Sequence, residues 1–195
     1  MAGGDRLWGR ERQHREKRGD SIDFFGSVTR VITGQDVLIW LAAAAVIGLF
    51  CLGMCMAGRM KKRTAVLVVL LGFYLAVIFT FTRGHRIPGR GYDYNLKLFW
   101  TIEAIRNGKR SLISECIWNL VFFIPLGILL GLLFRGRCVL LPVLTGAAVS
   151  AVIELVQLVG KLGLFEFDDM IYNTAGCLIG VLVGSVITVL FKKKC

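Results

Sequence analysis

Five long apolar runs, separated by short polar segments, organise this chain. The first extends from about residue 37 to 56 without a charge, and Arg59, Lys61, Lys62 and Arg63 follow it. The second, about 64–82, is equally uncharged. The third covers about 112–134 and is closed by Arg135 and Arg137, the fourth about 139–159, and the fifth about 168–191, closed by Lys192, Lys193 and Lys194. Each run is close to the roughly twenty residues that an α-helix needs to cross a hydrocarbon core. Inside lipid a backbone must satisfy its own N–H and C=O groups, so each run predicts a transmembrane helix. The expected fold is all-α: a polytopic integral membrane protein, a bundle of about five transmembrane helices.

The polar segments divide the chain further. Residues 1–20 mix Arg, Lys, Glu and Asp and read as a tail. Between 21 and 32, Ile22, Phe25, Val28 and Ile32 recur at spacings of three and four, which predicts a short amphipathic helix on the membrane surface; Gly26 and Thr29 interrupt it. Residues 83–111 form a polar loop and 160–167 a shorter one. Three units are expected: 1–35, the tail with its interfacial helix; 36–62, a first span with its basic loop; and 63–195, a four-helix transmembrane domain. No internal repeat and no soluble second domain is visible.

Composition agrees with this pattern. The chain is 55% hydrophobic and only 19% charged, with a mean hydropathy of +0.66, and its charge sits at the ends of the runs. A net charge of +11 raises the question of nucleic acid. Cations that flank apolar spans instead set orientation and meet anionic headgroups, so membrane lipid is the expected partner and nucleic acid is not. The short clusters at 59–63, 135–137 and 192–194 all fall on one side of a five-span bundle, and the positive-inside rule puts that side in the cytoplasm. The tail and the 83–111 loop then lie outside, in a multi-pass protein of the cell membrane. No cleavable signal peptide is expected from the polar, Arg-rich start.

Metal and redox chemistry find little support. None of the six cysteines forms a Cys-x-x-Cys pair; Cys51 and Cys55 lie one turn apart within an apolar run, and Cys177 within another. His14 and His85 fall on separate polar segments. No metal site and no cofactor is expected.

Polar side chains within or at the ends of spans are costly and therefore informative. Glu115 and Asn119 open the third span, four residues apart and on one helix face. Glu154 and Gln157 share a face near the end of the fourth, and Asp168, Asp169 and Asn173 open the fifth. Consecutive spans alternate in direction, so these three sets lie on one side of the membrane whichever way the bundle faces. The 83–111 loop is on that side too and brings Arg83, Arg86, Arg90, Asp93 and Asn95. One outward polar pocket is expected, with Arg83, Arg86 and Arg90 as anion-binding groups. Taken singly, each polar residue also suits an ordinary role: a hydrogen bond between helices, or for Asp168 and Asp169 a helix cap.

Glycines mark close packing. Gly176, Gly180 and Gly184 recur every fourth residue in the fifth span, as do Gly127 and Gly131 in the third. Such stripes let helices approach closely within one chain or between two copies, and a homodimer through Gly176, Gly180 and Gly184 is one expected use. Pro125 and Pro142 are expected to kink or break the third and fourth helices.

From about 63 to 190 the residues resemble the VanZ-like family of bacterial membrane proteins. Asn95-Leu96 with Phe99 is similar to the family's Asn-Leu-x-Pro-Phe element. Asn119-x-x-x-Phe123-x-Pro125-Leu126-Gly127, Glu154-x-x-Gln157 and Asp168-Asp169-x-x-x-Asn173-x-x-Gly176 resemble its next three elements in order and spacing. Two positions depart: Leu98 stands where the family has Pro, and Gly163 or Leu164 where it often has Arg, with Lys161 the nearby cation. The resemblance implies a four-helix domain in the cell envelope of a bacterium and a link to low-level resistance to the glycopeptide teicoplanin.

Three functions fit the residues. In the first, a non-enzymatic envelope protein binds a lipid headgroup, a lipid-linked wall precursor or a lipoglycopeptide in its outward polar pocket, with arginines on phosphate or carboxylate. The second is a membrane-embedded enzyme on a lipid-linked substrate, with Glu154, Asp168 and Asp169 as general base or as oxygen ligands to a divalent ion. No nucleophile setting is recognisable, which disfavours it. The third is a small transporter, which uncharged span centres and the lack of a repeat rank last.

Overall fold

A computed structural model describes residues 34–84, 94–136, 138–160 and 165–192. In chain order the elements are α1 (Gly34–Met56), α2 (Lys62–Gly84), β1 (Tyr94–Asn95), α3 (Trp100–Arg106), α4 (Ser111–Leu133), α5 (Leu140–Val159), β2 (Phe165–Glu166) and α6 (Phe167–Lys192). All the helices except α3 are long and apolar enough to cross a membrane, and they coincide with the five apolar runs to within a few residues. The chain is an all-α, multi-pass membrane protein. Its outer surface fits a bilayer and not water: Leu38, Leu49, Phe50 and Met56 stand exposed on α1 alone. The amphipathic segment expected at 21–32 lies outside the described residues.

The tightest contact is between α4 and α6. A Cβ placed on Gly176 would lie 2.0 Å from the Leu120 carbonyl oxygen, one on Gly180 2.1 Å from Ile124 O, and one on Gly184 2.6 Å from Ile128 O. Gly127 and Gly131 reciprocate, 2.1 Å from Cys177 O and 2.8 Å from Val181 O. Each step of four residues on one helix meets a step of four on the other, so the two run parallel with backbone against backbone. Of the two uses expected for the stripe, contact within the chain or with a second copy, the structure shows the first: Gly176, Gly180 and Gly184 meet α4 of the same chain.

Around this pair α2 and α5 complete a core of Ile78, Phe123, Leu126, Leu130, Ile153, Cys177 and Val181. α5 runs antiparallel to α6, with Gly146 set against the Cys177 side chain. Pro125 lies within α4 and has no N–H for the carbonyl of Val121. The adjacent carbonyl, Phe122 O, accepts the Tyr74 hydroxyl of α2 at 2.7 Å. The break expected at Pro142 does not occur, because this residue falls in the first turn of α5, where no intrahelical donor is needed.

α1 packs against α2. Its buried Trp40 donates from Nε1 to Thr80 Oγ1 at 2.9 Å and meets Phe73 edge-on, with ring centroids 6.1 Å apart. Thr80→Val would strand the indole N–H in an apolar interface. The expected loss is about 1–2 kcal/mol, read as a lower unfolding temperature in detergent; an unchanged temperature in Thr80→Val would show that this bond does not hold α1.

Candidate functional site

The start of α4, the end of α5 and the start of α6 meet at one end of the bundle. The α2–α4 and α5–α6 connections join there through a two-residue parallel pairing of β1 and β2, Tyr94 opposite Phe165 and Asn95 opposite Glu166. The alternation of spans therefore brings its polar ends together physically, and the described parts of the two connections, 94–110 and 165–166, are held against them as a cover.

Asp168 secures one part of that cover. α3 begins after Phe99, whose φ of 60° and ψ of 20° lie in the left-handed region, and no side chain of the Phe99 position caps the helix. Helix N-termini leave backbone N–H groups without intrahelical acceptors. The Asp168 carboxylate, 1% exposed on the first turn of α6, accepts Phe99 N–H at 2.6 Å through Oδ1 and Thr101 N–H at 3.0 Å through Oδ2. A charged acceptor shared by two donors is among the stronger hydrogen-bond arrangements. Its charge also opposes the positive end of α3. Asp168 thus caps a helix that starts 68 residues before it (168 less 100), as well as opening its own.

Glu154 secures the other part. Its buried carboxylate accepts the backbone N–H of Glu166 in β2 at 3.1 Å through Oε2. Asn95 supports the opposite strand locally, its Oδ1 accepting Lys97 N–H at 3.1 Å. One turn deeper, Asn173 Nδ2 donates to Ser150 Oγ at 2.9 Å, joining α6 to α5. Asn173 Oδ1 and Gln157 Oε1 are buried without a hydrogen-bond partner among the described residues.

The remaining expected residues are spread around this cluster. Glu115 is exposed, and Asn119 and Asp169 are half-buried. The α2 helix extends through Arg83. Arg86, Arg90 and Asp93 lie outside the described residues. The structure adds members that the sequence reading passed over: Ser150, and the neighbouring side chains of Cys116 on α4 and Tyr172 on α6. Ser150 stands four residues before Glu154, so helical spacing already placed it on that face.

This geometry changes what the cluster can do. Glu154, Gln157, Asp168 and Asn173 are buried groups, and the two carboxylates spend hydrogen-bonding capacity on loop backbone. Among the described residues no three His, Cys, Asp or Glu side chains come close enough to hold one metal ion. Two open apolar grooves lie on the flanks: about 260 Å³ between α2 and α4, lined by Phe73, Tyr74 and Pro125 among others, and about 380 Å³ between α1 and α2. Both face the region of acyl chains.

The family model described as VanZ/LLP1 matches residues 65–189. This interval takes in α2 through nearly all of α6 and excludes α1. No curated protein and no solved structure matches the chain.

Proposed function

The chain belongs to the VanZ/LLP1 family, and from that premise we propose that it works in the bacterial plasma membrane as a non-enzymatic envelope protein. Its outer polar end binds the headgroup of a membrane lipid or of a lipid-linked wall precursor, and through this it lowers sensitivity to teicoplanin. The observation that carries the reading is the buried polar cluster at one end of the bundle, where Gln157 Oε1 and Asn173 Oδ1 have no partner among the described residues. Buried carbonyl oxygens call for donors, and hydroxyl or amide groups of a polar headgroup supply them. Arg83, Arg86 and Arg90 belong to the same end by sequence and suit its phosphate or carboxylate. The basic groups Arg59, Lys61, Lys62, Arg63 and Arg135 lie at the opposite end, which favours an outward polar end.

Binding is favoured over catalysis because Glu154 and Asp168 already serve backbone donors. A general base needs a lone pair directed at the substrate, and both carboxylates accept backbone N–H groups of the loops: Asp168 from Phe99 and Thr101, Glu154 from Glu166.

The test is susceptibility. The chain is expressed in a glycopeptide-sensitive Gram-positive host beside Glu154→Gln and Asp169→Asn, and teicoplanin is titrated against vancomycin, with membrane accumulation measured for each. The expected result is a several-fold rise in the inhibitory teicoplanin concentration for the wild type, and a return to the host value in both variants at equal accumulation. Absence of protection by well-accumulated wild type, or full protection in both variants, would overturn the reading.

A further inference from the structure

Residues 96–110 cross the polar end of the bundle between α2 and α4 and turn a mixed surface outward. Leu96, Leu98, Phe99 and Ile102 are 54, 54, 55 and 42% exposed, while Thr101 and Ala104 form the buried inner side of α3. Exposed apolar side chains on the five spans face acyl chains. These four lie beyond the span ends, between Gly84 and Ser111, where acyl chains do not account for them.

The same segment is basic. Lys97 pairs with Glu103, whereas the exposed Arg106, Lys109 and Arg110 make no ion pair among the described residues. Large apolar side chains beside uncompensated cations, at the level where spans stop, match the boundary between acyl chains and anionic headgroups. Nor is the segment free to withdraw. Asp168 holds Phe99 and Thr101 by their backbones, and β1 is paired to β2.

We infer that residues 96–110 form an interfacial anchor: Leu98, Phe99 and Ile102 seat in the acyl–headgroup boundary, and Arg106, Lys109 and Arg110 rest on the phosphates of anionic phospholipid. The partner is the bilayer surface itself. The inference stands apart from the proposed function, since it requires neither a ligand among the buried polar groups nor any antibiotic phenotype.

Two measurements on the full chain test it. In the first, all six native cysteines are replaced by Ser or Ala, and Leu98→Cys carries an environment-sensitive fluorophore. The protein is placed in nanodiscs of phosphatidylcholine with or without phosphatidylglycerol, either lipid bearing a headgroup-level nitroxide. The expected result is blue-shifted emission, quenched more strongly by labelled phosphatidylglycerol, with the preference lost in R106E/K109E/R110E. Emission typical of water with no quenching, or equal quenching by both lipids, would overturn the inference. The second needs no cysteine changes. Native mass spectrometry of the chain released from mixed nanodiscs compares phosphatidylglycerol retained by wild type, by R106E/K109E/R110E, and by the opposite-end variant K61E/K62E/R63E. The first triple variant is expected to retain fewer molecules than wild type, by a loss separate from that of the second. Retention equal to wild type in R106E/K109E/R110E would overturn the anchor whatever the opposite end does.

Discussion

Gly180→Val is expected to abolish recovery of a folded chain, and Gly180→Ala to lower its unfolding temperature sharply. At this position a Cβ meets only backbone: Ile124 O at 2.1 Å, Ile128 N at 2.8 Å and Gly127 Cα at 2.9 Å. No side chain can rotate away, so α4 and α6 must separate along their whole contact. Overpacking of a well-packed interior costs typically 1–3 kcal/mol. A methyl group that prises apart two backbones belongs at or above the upper end of that range. Branched Val is worse, against a folded-state margin of roughly 5–15 kcal/mol for ordinary domains. Gly53→Ala is the control. Nothing lies within 4 Å of its Cβ position on the exposed face of α1, and the gain in helix propensity is up to about 1 kcal/mol. The measurements are the monodisperse fraction after detergent extraction and the unfolding midpoint. A Gly180→Val protein as stable as wild type would mean that α4 and α6 do not meet backbone to backbone.

That contact illustrates how far sequence reading extends. Spacing identified Gly127, Gly131, Gly176, Gly180 and Gly184 as close-packing positions, because a helix repeats its face every three to four residues. It could not say which helix answers, since the same stripe serves one chain or two. The five spans were legible for a different reason: lipid demands uniform apolar side chains and internal backbone pairing, which leaves long uncharged runs in any such sequence. Alternation of spans then assembled Glu154, Asp168 and Asn173 at one end from topology alone, without a contact being known.

What escaped the sequence was the cover over that end. α3 lies in a stretch read as loop, because it has neither a local capping side chain nor a glycine where the chain turns into it. Phe99 occupies the left-handed region, a conformation that costs a non-glycine residue about 1–2 kcal/mol, and it is held there by an acceptor from α6. Local propensity does not register a cap supplied from the far end of the domain. Pro142 misled for a related reason. Its effect depends on where its helix begins, and α5 begins two residues before it. Ser150 could have been found from its distance to Glu154, but its Asn173 partner on α6 required the α5–α6 register.

Asp168→Ala is expected to release α3 and its connection while leaving the five spans assembled. Hydrogen bonds to a charged group contribute about 1.5–3 kcal/mol each, and this carboxylate accepts two of them, from Phe99 and Thr101. Allowing for water reaching the freed N–H groups, the local loss is about 3 kcal/mol. The Gly-to-Gly contact of α4 and α6 begins two turns deeper and is not touched, so the effect should concentrate in opening of the cover. Tryptic cleavage after Arg106, Lys109 and Arg110 reads that opening directly, since cutting follows the open population when reclosure is fast. A local loss of that size corresponds to about a 100-fold faster cut at these sites. Cleavage at the opposite end, after Arg59 or Lys61, should stay at the wild-type rate. Asp168→Asn separates charge from shape: one oxygen remains to accept, the amide N–H₂ faces a backbone donor, and an intermediate rate is expected. If Asp168→Ala is cut no faster than wild type, Asp168 does not secure the cover, and a seated anchor at Leu98 and Phe99 would have to be held by lipid alone.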